Sequence, residues 1–71
     1  MYPNPANNLV TIEVISEVRK VTIYNIIGTE LINEQPLSDK FSIDISKLEK
    51  GTYFVTIYTN FGLTTIKLFV L

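Results

Sequence analysis

Seven carboxylates have the first claim to chemistry in this chain: Glu13, Glu17, Glu30, Glu34, Asp39, Asp44 and Glu49. Two of them facing one another across a sugar could act as acid and base in glycoside hydrolysis. Nothing else in the composition supports such a site. The chain has no histidine and no cysteine, so it lacks the commonest general base near neutrality, the commonest metal ligand and any thiolate nucleophile. A calcium loop needs several oxygen ligands at close intervals, and the stretch LSDKFSID offers only Asp39 and Asp44. There is no G-x-S-x-G nucleophile turn and no phosphate-cradling glycine loop. The acids fall on polar faces or in loops, where charges ordinarily sit. The expected answer is a protein that is not an enzyme, with no catalytic, cofactor-binding or metal-binding residues.

Bulk properties narrow the class further. A chain of 71 residues is one domain, residues 1–71, of a size where a single core is only just sufficient. A formal net charge of −1 with mixed signs argues against nucleic acid and against anionic membranes as partners. No apolar run approaches the roughly 18 residues of a membrane span, so no direct membrane insertion is expected. No basic start leads into an apolar segment, so if this unit is exported its leader is expected elsewhere, in a larger secreted protein.

The elements that must position any site follow a period of two. Val10, Ile12 and Val14 alternate with Thr11 and Glu13 in a first strand, closed by a polar break at Ser16-Glu17. Val21 and Ile23 alternate with Thr22 and Tyr24 in a second. Asn25-Ile26-Ile27-Gly28 reads as a turn with glycine in a left-handed position. Residues 29–34 return as a third strand, and Gln35-Pro36 ends it. Phe41, Ile43 and Ile45 mark a fourth. Ser46 and Glu49 have capping-box spacing, and Gly51 suits the position just past a helix end. One helical turn is therefore expected there, burying Leu48 and crossing between sheets. Tyr53, Val55 and Ile57 form a fifth strand, Asn60-Phe61-Gly62 a hairpin turn, and Thr64, Ile66, Leu68 and Val70 a sixth. VTIYNIIG and VTIYTNFG, residues 21–28 and 55–62, echo one another, as two central strands with the same needs would. Short strands at regular spacing, with no helix long enough to separate them, give an antiparallel two-layer sandwich.

Two surfaces of such a sandwich could bind. Tyr24, Phe54 and Tyr58 lean outward and could form a flat platform for a sugar or a protein, although cross-strand aromatic pairs also simply stabilise sheets. Open edge strands could take a further strand from another chain, which leaves the oligomeric state open.

The ordered set YPNP (residues 2–5), VTIYNIIGTEL (21–31), IDISKLEKGTYFVTI (43–57) and TTIKLFVL (64–71) resembles the type A C-terminal sorting domain of the type IX (Por) secretion system of Bacteroidota. The resemblance covers nearly the whole chain. It implies a small all-β, antiparallel, immunoglobulin-like sandwich of about six to seven strands. It also implies a non-catalytic signal that directs a secreted cargo across the outer membrane, through the periplasm, to the cell surface or the medium. The implied partners are outer-membrane translocon or shuttle proteins and a sortase-like peptidase that removes the domain. By position, Pro3, Asn4 and Pro5 match the family's lead-in motif, and Gly28 matches the glycine after its YN strand. Leu48, Gly51 and Tyr53 match its L-x-x-G-x-Y element, and Lys67 and Leu68 match its terminal lysine–hydrophobic pair. Here that pair is followed by Phe69-Val70-Leu71 rather than by the basic or polar residue of many members. Proline lacks an amide and biases the preceding residue toward extended backbone. YPNP is accordingly expected to be a stiff, unpaired lead-in that separates linker from fold. An immunoglobulin-like carbohydrate- or protein-binding module using Tyr24, Phe54 and Tyr58 is the alternative function.

Overall fold

The computed structural model describes residues 1–3, 6 and 8–71. Six strands form in chain order: β1 (Leu9–Val18), β2 (Lys20–Tyr24), β3 (Glu30–Glu34), β4 (Ser38–Asp44), β5 (Gly51–Thr59) and β6 (Gly62–Val70). They make two antiparallel sheets, β1-β4 and β3-β2-β5-β6, stacked as the two layers of a sandwich.

The core is the set of inward positions that period two marks. Val10, Ile12 and Val18 of β1, Ile43 of β4, Val21 and Ile23 of β2, Val55 and Ile57 of β5, and Leu68 and Val70 of β6 are all buried. Register explains why β-branched residues dominate. Val21 faces Ile57, Thr22 faces Thr56 and Ile23 faces Val55 across β2 and β5, and branched side chains pack well on a pleated surface. The echoing segments are thus the two central strands of the larger sheet.

Two expectations need correction. β1 does not stop at Ser16-Glu17; it runs to Val18, which is fully buried. The register with β4 shifts between Glu13 and Val18; Glu17 is an exposed residue of the continuing alternation, while the half-buried Ser16 keeps phase with Val14 and Val18. The expected helical turn at Ser46 is also absent among the described residues. Asp44 Oδ1 accepts the Ser46 amide at 2.8 Å, and the Leu48 amide donates to the Ile45 carbonyl at 3.0 Å. The acid two residues upstream makes a local turn in place of the capping box. The segment still crosses from the two-stranded to the four-stranded sheet, and Leu48 still packs, half-buried, on the core.

Candidate functional site

The segments that carry the sequence motifs meet at one end of the sandwich. The β2–β3 turn is built on Asn25, whose Oδ1 accepts the amides of Ile27 at 3.1 Å and Thr29 at 2.9 Å. Its carbonyl accepts the Gly28 amide at 3.0 Å. Gly28 has φ +90° with open space around it, so glycine is required by the backbone and not by crowding. So fixed, the turn holds Ile26 and Ile27 out in solvent, 71% and 81% exposed.

Beside it lies the β4–β5 connection. Asn25 and Ile26 share a shallow recess of about 270 Å3 with Glu49, Lys50, Gly51 and Tyr53. Gly51 opens β5 at φ +152°. The buried Tyr53 turns its hydroxyl back to donate to the Glu49 carbonyl at 2.5 Å. This tie gives L-x-x-G-x-Y a physical meaning: Leu48 packs on the core, Gly51 makes the bend and the Tyr53 hydroxyl closes the loop. Immunoglobulin-like sandwiches use a comparable tyrosine-to-backbone bond at a strand corner. The sequence signal for it was the tyrosine two residues after the glycine.

The third motif is bound to the second by register. Gly51 pairs with Val70, Tyr53 with Leu68, and Phe54 with Lys67. Leu68 is fully buried, and Lys67 is exposed on the outer face. The hydrophobic half of the terminal pair therefore anchors the strand, while the lysine is displayed.

The lead-in reaches the same end, and at Tyr2 the expectation of an unpaired segment is overturned. Tyr2 and Thr11 exchange both backbone bonds, Tyr2 donating at 2.8 Å and Thr11 at 2.6 Å. Ala6 forms a parallel bridge with Val70: its amide donates to the Phe69 carbonyl at 2.8 Å, and its carbonyl accepts the Leu71 amide at 2.8 Å. Two non-proline residues thus pair on the edges of β1 and β6 that face away from β4 and β5. Pro3, between them, is exposed; Asn4 and Pro5 lie outside the described residues.

This end offers recognition surface and little reactivity. All seven carboxylates are exposed, and no three acidic side chains converge as a metal site among the described residues. The Asp44 carboxyl is held below the ordinary carboxylate range by the hydroxyl of Ser46, then by its amide, with Lys47 adding to both against slight desolvation. That is the signature of a turn cap and not of a general acid, whose carboxyl must be raised.

The outer face of the larger sheet carries the aromatics. Tyr24 pairs with Phe54, and Tyr58 lies on the same face four residues along. The Lys20 ammonium sits 5.0 Å from the Tyr58 ring centre, a cation–π contact.

No curated protein and no solved structure matches the chain. Residues 1–71 match the family described as the secretion system C-terminal sorting domain, a match that spans every segment gathered at this end of the sandwich. On that match, the chain belongs to that family of type IX secretion signals.

Proposed function

We propose that the domain acts as a folded address. The export machinery reads the end of the sandwich where the Asn25–Thr29 turn, the Glu49–Tyr53 connection and the tip of β6 meet. Outer-membrane translocon or shuttle proteins are the readers, and a sortase-like peptidase then removes the domain from its cargo at a bond upstream of it. The domain itself is non-catalytic, as sorting domains of this family generally are. The single supporting observation is convergence: segments far apart in sequence, holding Gly28, Leu48, Gly51, Tyr53, Lys67 and Leu68, are adjoined by register and by a shared recess. Pro3, Asn4 and Pro5 belong to the reading as the lead-in that the peptidase approaches.

The test is secretion of a reporter fused ahead of the domain in a bacterium with a type IX system. Lys67→Ala together with Gly51→Ala alters one displayed charge and one bend without touching a buried side chain. The expected result is a folded domain with the reporter retained in the periplasm. Wild-type secretion by the folded double variant refutes the reading.

A second reading, carbohydrate or protein binding on the outer face, draws on the common orientation of Tyr24, Phe54 and Tyr58. It calls for glycan binding that Phe54→Ala abolishes while secretion is unchanged.

A further inference from the structure

We propose that the tip of β6, Phe69–Leu71, is a strand-addition site for an extended segment of a partner protein, and that the chain's own Ala6 is its intramolecular occupant. The pairing itself describes the ligand. Ala6 bonds on both sides of Val70, to the Phe69 carbonyl and the Leu71 amide, which is how one residue of a parallel strand docks on a sheet edge. Its side chain is 3% exposed and sits in the core cluster with Leu68 and Val70. The site therefore takes a parallel, extended backbone with a small apolar residue that retains its amide. Recognition of this kind draws affinity from main-chain bonds and specificity from the side-chain slot.

The occupant is lightly held. β5 and β6 pair continuously from Gly51–Val70 to Thr59–Gly62, whereas Ala6–Val70 and Tyr2–Thr11 are isolated bridges. Short, edge-bound segments open at far lower free energy than central strands. Release of Ala6 uncovers an acceptor, a donor and a core slot, flanked by the exposed side chains of Phe69 and Leu71. The lead-in thereby gates the same strand end that carries the sorting signal. In naming a partner segment the inference rests on the sorting reading; its test uses no secretion machinery, so either can fail without the other.

The experiment is amide hydrogen exchange and peptide titration by NMR on the full 71-residue domain. The probe is a synthetic heptapeptide with the sequence of residues 2–8, YPNPANN. In Ala6→Asp, exchange at the Leu71 amide rises at least about tenfold while Val21 and Ile57 keep their protection, as a local opening requires. The peptide then binds this variant but not the wild type, restores protection at Leu71, and fails to do so when it carries Ala6→Trp. If Ala6→Asp unfolds the whole sandwich, Ala6→Pro is measured in its place, since it deletes the amide donor without charging the core. Unchanged protection at Leu71, protection lost from every strand in both variants, or an opened tip that does not take the peptide each overturns the proposal.

Discussion

β2 and β5 carry the same four residues, Val-Thr-Ile-Tyr, towards their C-terminal ends, and each leads to a glycine turn, yet the two regions do different things. Because the strands are antiparallel neighbours, their turns lie at opposite ends of the sheet. The turn after β2 joins the end where the other motifs gather, and that after β5 caps the far end. There Thr59 Oγ1 accepts the Phe61 amide at 3.1 Å and donates to the Gly62 carbonyl at 3.4 Å, and Arg19 donates to Asn60 Oδ1 at 3.0 Å. The turn after β2 is instead fixed by two amides held on the single Asn25 side chain. The paired threonines differ as well. Thr56 shares a hydroxyl bond of 3.0 Å with Thr65 of β6, whereas the fully buried Thr22 hydroxyl has no partner, its other neighbour being Asn33 of β3. Equal local sequence gives the same strand conformation; what each strand contributes is set by its neighbours.

The glycines give the largest way to break this symmetry. Gly28 and Gly62 have φ of +90° and +128° with nothing within 4 Å of an added Cβ, so alanine at either strains only the backbone. Each substitution is expected to cost about 1–2 kcal/mol in urea denaturation, the penalty for an L-residue in left-handed backbone. Their effects on reporter secretion should separate: Gly28→Ala lowers it and Gly62→Ala leaves it near wild type. Equal secretion defects would show that lost stability, and not the position of the turn, governs export.

The threonines give a smaller effect of opposite signs. Thr22→Val replaces a hydroxyl buried without a partner by a methyl of the same shape and is expected to stabilise by about 1 kcal/mol. Thr56→Val removes a made bond and is expected to cost up to about 1 kcal/mol. Thermal melts of the two variants, run side by side, decide it. A destabilised Thr22→Val would mean that its hydroxyl has a partner, such as an ordered water.

Most of the fold was legible because burial on one face of a sheet writes period two directly into the sequence. Val21, Ile23, Val55, Ile57, Leu68 and Val70 could be placed inward from spacing alone. The misses have distinct physical causes. Ser46 and Glu49 have capping-box spacing, but Asp44 is placed to accept the Ser46 amide first, and the chain turns without a helix. Glu17 looked like a break because a polar outward residue reads alike in a strand and in a loop; only the burial of Val18 beyond it decides. For the site, the motif residues could be identified but their convergence could not. Pairing of β1 with β4 and of Ala6 with Val70 depends on contacts between distant segments, which local pattern does not encode. The two prolines also hid the lead-in's pairing, since what matters there is the amides of Tyr2 and Ala6 around them.

Two side-chain caps at the motif-bearing end differ in chemistry. Asn25 and Asp44 each accept the amide two residues on, Ile27 and Ser46 respectively, and only Asp44 can be titrated. Its carboxyl is lowered in the folded protein by the Ser46 hydroxyl and amide. A group whose native pKa lies below its unfolded value binds protons more tightly when unfolded, so its contribution is fully present above the unfolded pKa and is lost as pH falls through the native one. The effect is small, because the group is exposed and screened. Stability followed by urea titration from neutral to strongly acidic pH should therefore show a slightly shallower acid loss in Asp44→Asn than in wild type, with the curves converging at the acid end. An Asn25→Asp variant should acquire a similar acid-sensitive component at the other turn. If Asp44→Asn instead leaves the acid slope unchanged, the turn is held by the Leu48–Ile45 backbone bond, and the carboxylate only decorates it.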